Sequence, residues 1–269
     1  MAKRAPKKPS RPPGPLAGAS VIVTRPGGTA ASLRRRIQAL GGCAVSLPGI
    51  SLRAAQDGAH ARKQLRLAQS ADIVIFTSPA AVRFAFALLP RLRLARTTQV
   101  CVPGSGSALA LQRRGVKNVI HPPVRRDSEG LLALPLFARL RRRRVVLVGA
   151  PGGRELLPRE LRARGARIEF VNAYERARPR LDRRHLRALE AAPTPLISLF
   201  SSADALTNLH AVLSPPLFAH LAANDCVVSS ARIAEVAHTL GFARVHAAAS
   251  AEPAALLERA CIVMALHRL

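Results

Sequence analysis

The 269-residue chain spells one series of short units twice, in the same order. VIVTRPGGTAASLRRRIQALGG, from Val21, resembles VVLVGAPGGRELLPRELRARGA, from Val145; Leu33, Ile37 and Gly41 stand 124 positions before Leu157, Leu161 and Gly165. IFTSPAAV, from Ile75, corresponds to LFSSADAL, from Leu199, and Phe76, Ser78 and Val82 again fall 124 positions before Phe200, Ser202 and Leu206. A third unit, VPGSGSALALQRRGVKNV, pairs with VVSSARIAEVAHTLGFARV, with Gly115 and Gly241 126 apart. A chain that repeats one, two, three, one, two, three must fold as two homologous halves.

Each unit has the same grammar. A short β-branched run (VIV at 21, IVIF at 73, VCV at 100, VVLV at 145, ISLF at 197, CVV at 226) leads into a small or polar turn and then an amphipathic stretch. Strands alternating with helical patterns predict parallel βαβ units. Ala30, Leu33, Ile37 and Leu40 make one apolar stripe at helical spacing, with Arg34, Arg35 and Arg36 mostly off it. Gly41 and Gly165 stand where a helix C-cap glycine belongs.

The turns carry the functional reading. In open parallel sheets, ligands bind beyond the carboxyl ends of the strands. Backbone N–H groups at helix starts attract anions, and Ser or Thr there caps the helix or donates to a ligand. One such turn is ordinary capping; six in two homologous halves predict a binding cleft between them.

Charge supports an anionic ligand. The formal net charge is +27, and Lys3, Arg4, Lys7, Lys8 and Arg11 contribute +5 of it from a Pro-rich tail over residues 1–16, read as disordered and lacking a secretion signal's apolar core. The remaining +22 implies acidic partners or solvated basic faces. The run Arg141–Arg144 precedes a strand and reads as a solvated turn. Charge alone permits RNA binding, but no recognition-module motif and no interleaved aromatics are present, so no nucleic-acid partner is expected. Cys43, Cys101, Cys226 and Cys261 form no CxxC pair and have no His at ligand spacing. They read as reduced, mostly buried thiols of a cytoplasmic protein, with no metal. No apolar run approaches a membrane span.

Cofactor motifs are absent. GSGSAL at 104–109 fails the dinucleotide fingerprint because Leu109 occupies the third glycine position. There is no phosphate-binding GxxxxGK[ST] and no GxSxG nucleophile elbow. No cofactor is implied.

A resemblance emerges from T24-R25-P26, L40-G41-G42, F76-T77-S78-P79-A80-A81-V82, G104 with S107-A108, D127-S128-E129-G130-L131-L132, G152-G153-R154-E155-L156-L157, N172-A173-Y174-E175-R176, F200-S201-S202 and S230-A231-R232-I233-A234-E235. In this order the motifs resemble the uroporphyrinogen-III synthase family from about Gly18 to Leu257. The repeat by itself suggests a cut near Arg139. The resemblance implies instead two flavodoxin-like, open parallel-sheet domains joined by a two-stranded linker, with a cleft between them. Domain one would comprise 17–51 plus 177–269, and domain two 52–176.

The implied reaction converts hydroxymethylbilane to uroporphyrinogen III, a cofactor-free lyase reaction in which a linear tetrapyrrole loses water and closes through a spiro intermediate with its last ring inverted. The resemblance implies Tyr174 as the group that helps the hydroxyl leave. It implies Arg25, Thr77, Ser78, Gly104, Ser107, Gly153, Ser202 and Ser230 as holders of an octacarboxylate substrate. A monomer that needs no membrane is expected. Two alternatives stay open on residues alone: a non-catalytic cleft protein for an anionic small molecule, and a basic nucleic-acid-binding protein.

Overall fold

The computed structural model describes residues 14–125, 127–152 and 155–268. Its strands are β1 (Ser20–Val23), β2 (Cys43–Ser46), β3 (Ser51–Ala54), β4 (Ile73–Phe76), β5 (Gln99–Cys101), β6 (Val119–Ile120), β7 (Arg144–Gly149), β8 (Arg167–Asn172), β9 (Tyr174–Ala177), β10 (Leu196–Phe200), β11 (Asp225–Val228) and β12 (Val245–Ala247). The chain forms two units. It passes from the first to the second between Ser51 and Leu52, and back between Ala177 and Arg178. A two-stranded sheet, β3 with β9, falls at these two passages in the chain.

The first unit holds a five-stranded parallel sheet in the order β12-β11-β10-β1-β2. The second holds β6-β5-β4-β7-β8, also parallel throughout. These are one layout entered at different points. In the first, Val21 faces Ile197; in the second, Val145 faces Ile73, each residue displaced by 124. Cys226 faces Val245 as Val100 faces Val119, each displaced by 126. The repeat is therefore a crossed one: the opening unit of each half completes the sheet of the other half's later units. A cut near Arg139 would sever β4 from its partner β7 and leave β1 without β10.

Central strands are apolar on both faces because helices cover both sides of a parallel sheet. In β4, Val74 and Phe76 join one core and Ile73 and Ile75 the other, as the two-residue period of a strand requires. In the first unit Val21, Val23, Ile197, Leu199 and Val227 pack with Leu33, Ile37 and the helix Pro253–Leu266.

Two sequence expectations meet the structure at the edges. Residues 1–13 of the expected tail lie outside the described residues. Leu16, counted with that tail, is buried, and its N–H donates to the Leu40 carbonyl. Of the four thiols, Cys101 and Cys226 are buried and pushed up to about 12 by burial, but Cys43 on edge strand β2 is exposed.

Candidate active site

Chain direction fixes where a ligand can enter each unit. From β1 the chain runs outward to β2, whereas from β10 it runs the other way, to β11. Right-handed crossovers then put the two following helices on opposite faces, opening a crevice at the carboxyl ends of that strand pair. In the second unit the diverging pair is β7 and β4. The expected residues Arg25 and Ser202 follow β1 and β10; Thr77 and Ser78 follow β4. Gly153, expected after β7, lies outside the described residues.

In the second unit, Ser78 is the N-cap of the helix Pro79–Leu88, with extended backbone (φ −163°) and Pro79 at the first helical position. Its hydroxyl accepts the Ala81 N–H at 3.0 Å. The same oxygen lies 3.1 Å from the Tyr174 hydroxyl. Tyr174 comes from β9, is 3% exposed, and stacks on Phe84 with centroids 5.3 Å apart and planes at 14°. The Arg83 guanidinium covers the Phe84 ring at 4.8 Å. Phe84 thus packs against the Tyr174 ring, a contact that the motifs do not mark, since a helix phenylalanine reads as ordinary core.

Thr77 ties the crevice strands together. Its N–H and its hydroxyl both donate to the Val148 carbonyl, at 3.0 and 3.2 Å. This brings Thr77 against Gly149, where a Cβ would lie 2.5 Å from the Thr77 Oγ1. Glycine is what lets the two turns close up. Gly104 caps the next helix, Ser105–Gln112, by its extended backbone alone, and Ser107 within it is buried.

The first unit repeats the arrangement with other chemistry. Ser202 and Ser230 are the N-caps of the helices Ala203–Val212 and Ala231–Thr239, yet neither hydroxyl makes a capping bond. Those oxygens are left for other partners, in contrast to Ser78. Thr24 Oγ1 donates to the Leu199 carbonyl at 2.6 Å, linking β1 to β10 across the crevice. Arg25 donates from Nη2 to the Ala251 carbonyl at 2.7 Å. Its Nε is buried and has no hydrogen-bond partner among the described residues, and burial lowers its pKa from the ordinary arginine value. A guanidinium remains charged under such a shift, so a buried, unsatisfied donor stands at the turn.

Each crevice thus gathers backbone amides, hydroxyls and, in the first unit, an arginine: a set suited to carboxylates. A cavity of about 270 Å³ in the second unit, lined by Gln56, Asp57, His60, Phe170, Asn172 and Glu175 among others, includes none of the expected residues. Among the described residues no three His, Cys, Asp or Glu side chains converge as a metal site, and no helix is long and apolar enough to cross a membrane.

Similarity to known proteins agrees with this picture. Residues 31–258 match the family described as uroporphyrinogen-III synthase HemD. The chain is 31% identical over 248 residues to the uroporphyrinogen-III synthase of Salmonella typhimurium, covering 88% of this chain and 98% of that one. It is 29% identical over 241 residues to the Escherichia coli enzyme of the same name, with the same coverages. Among solved structures, the fold is shared with uroporphyrinogen-III synthetase from Helicobacter pylori (TM-score 0.57, 14% identity, 92% of this chain and all of that one). It is shared also with a mutant of the Thermus thermophilus synthase (TM-score 0.52, 18% identity, 94% of this chain and all of that one). By the extent of the family match and the Salmonella relative, the chain belongs to the uroporphyrinogen-III synthase family.

Proposed function

We propose that the protein converts hydroxymethylbilane to uroporphyrinogen III as a cofactor-free, cyclising lyase. The observation that carries the residue assignment is the Ser78–Tyr174 hydroxyl pair at the divergent turn of the second unit.

The substrate's hydroxymethyl C–O bond breaks as the adjacent pyrrole nitrogen supplies electrons, and the hydroxyl leaves as water with one added proton. Tyr174 assists that departure by hydrogen bonding. Ser78 can donate its proton to the phenol oxygen while accepting the Ala81 N–H, which leaves the phenol proton free to point at the departing group. The resulting azafulvene carbon is attacked by the substituted carbon of the last pyrrole, giving the spiro intermediate. That intermediate breaks its other bond to the ring and recloses on the free carbon, which then loses the balancing proton.

The protein's larger task is conformational, because the unaided chain closes without inversion. Arg25, the amides of the helix starts at Ser78, Gly104, Ser202 and Ser230, and the hydroxyls of Ser107, Ser202 and Ser230 hold substrate carboxylates so that the inverting attack is the near one, while Thr77, its hydroxyl proton engaged by the Val148 carbonyl, fixes the turn beside them. Gly153 extends this set after β7.

The test is to supply hydroxymethylbilane, oxidise the products and separate porphyrin isomers. Isomer III in excess is the expected result; isomer I alone from folded protein would refute the proposal.

A further inference from the structure

The internal repeat supplies a comparison that net charge cannot. Helices return to strands at the amino end of each sheet, opposite the ligand turns. In the first unit the described segments at this end are the lead-in to β1, 14–19 (GPLAGA), and the returns 40–42 (LGG), 191–195 (AAPTP), 223–224 (AN) and 240–244 (LGFAR), with one basic residue among them, Arg244; the basic residues of 1–13 lie outside the described residues. In the second they are 69–72 (QSAD), 89–98 (LPRLRLARTT), 113–118 (RRGVKN), 138–143 (ARLRRR) and 164–166 (RGA). They carry eleven basic residues, ten of them Arg, against one acid, Asp72. A compositional drift toward arginine would load both ends alike.

Position by position the contrast holds. Arg141 stands where the other unit has Ala17, Arg164 where it has Leu40, and Lys117 where it has Ala243, by the displacements that align the strand registers. Arg142 is more telling. It takes a left-handed backbone (φ 64°), and its counterpart is Gly18 (φ 86°). Glycine adopts that conformation freely and arginine under strain, so the fold alone favours Gly at this site.

These side chains are available. All but Arg164 are exposed. Among the described residues, Arg143 pairs with Asp72 at 3.1 Å, Arg164 donates to the Leu132 and Phe137 carbonyls, and Arg114 lies over Phe86. The others in this group make no ion pair among the described residues.

Their arrangement is a row. The returns line up as the strands do, β6-β5-β4-β7-β8, so the basic groups spread over about 19 Å at ~4.8 Å per strand. Over that length a nucleic-acid duplex carries about eleven phosphate charges. Arginine's planar fork suits phosphate oxygens. No aromatic side chain stands in these five segments to stack on single strands, and none of the exposed large hydrophobic residues lies there to enter a lipid surface.

We infer that the amino end of the second unit's sheet is a docking surface for the phosphate backbone of double-stranded nucleic acid, separate from the ligand turns. The proposal gives Arg141, Arg142 and Arg143 a partner where a solvated turn and no nucleic-acid partner were expected; Arg144 is not part of it, since it pairs with Glu169 at 2.7 Å.

The test measures binding of a mixed-sequence fluorescent duplex to the full chain across a salt series. Three proteins are compared: wild type, a row variant (R113A, K117A, R139A, R141A and R142G together), and a tail variant with Lys3, Arg4, Lys7, Lys8 and Arg11 changed to Gln. Circular dichroism melting of the row variant checks that it folds. The expected result is wild-type binding with a steep salt slope, kept by the tail variant. In the row variant affinity falls at least tenfold and the slope by about 4.5, near 0.9 for each of five lost contacts. Equal binding by the row variant would overturn the inference. So would loss of binding in the tail variant alone, or binding to anionic phospholipid vesicles with none to duplex. If the row variant fails to fold, the pair R141A and R142G alone must lower the slope by about two, or the inference falls.

Discussion

The Ser78 hydroxyl and the Tyr174 hydroxyl lie 3.1 Å apart, brought together from positions 96 residues apart in the chain. Ser78 belongs to a helix start and Tyr174 to a strand that ends its unit, so the contact exists only once the second unit is assembled. Tyr174→Phe keeps the ring on Phe84 and removes one hydrogen bond, a stability loss of about 1 kcal/mol. Isomer III formation should fall far more, about a hundredfold. The pair of measurements is a thermal melt and the isomer assay; unchanged turnover would remove the role assigned to Tyr174.

The capping serines should divide into two kinds. Ser78→Ala loses a cap bond to Ala81 and should destabilise by about 1 kcal/mol. Ser202→Ala and Ser230→Ala lose no cap bond and should stay within about 0.5 kcal/mol of wild type. If those two hydroxyls hold substrate, their loss appears as a higher KM. Denaturant melts and steady-state kinetics on the three variants decide it.

Gly149 and Thr77 should be coupled. A Cβ at 149 meets the Thr77 Oγ1 at 2.5 Å, so Gly149→Ala should cost about 1–3 kcal/mol. Thr77→Ala removes the obstructing atom along with its bond to Val148. The double variant should therefore be more stable than the sum of the single changes predicts, by about 1 kcal/mol or more. Additive losses would show that the close approach is not what excludes a side chain at 149.

Acid should probe the first unit through Asp225. Its carboxylate is 3% exposed and meets the Nε2 atoms of His246 and His267, each at 2.8 Å, and Arg244 at 3.4 Å. Burial opposes its charge, but these three partners outweigh burial and hold it below the usual carboxylate range. The unfolded chain therefore takes up a proton at higher pH than the folded one. The stabilisation is fully present above about pH 3.9 and is lost as pH falls through the lowered native value. Asp225→Asn should cost about 1–3 kcal/mol at neutral pH, since the partners it leaves are partly exposed, and should flatten the loss of stability below pH 4, read from melts across a pH series. A variant with the wild-type acid slope would refute the role of Asp225.

Much of the fold was visible in the residues, for a physical reason. Central strands such as VVLV and ISLF are buried on both faces and must be continuous apolar runs. Edge strands need bury less, so β2 (CAVS), β8 (RIEFVN) and β12 (VHA) announce themselves poorly. The crossed exchange of units was invisible to periodicity, because each unit has the same grammar whichever sheet it joins; the resemblance supplied it. The site divides similarly. The helix-start hydroxyls follow from turn chemistry, and the role proposed for Tyr174 came from the resemblance. The stacking of Phe84 and the approach of Gly149 to Thr77 depend on contacts between distant segments that no local pattern encodes.

The crossed repeat also orders events during synthesis. Residues 52–177 contain every strand of the second unit's parallel sheet and can complete that sheet as soon as they leave the ribosome. β1 and β2 emerge earlier, but β1 needs β10 along its other edge. From Ser46 to Leu196 the ribosome must add 150 residues, which takes roughly eight to thirty seconds at typical rates of elongation. For that interval a wholly apolar edge of Val21, Ile22 and Val23 waits without its partner, the kind of edge on which nascent chains aggregate. The middle of the polypeptide is finished while its beginning is still waiting for its end.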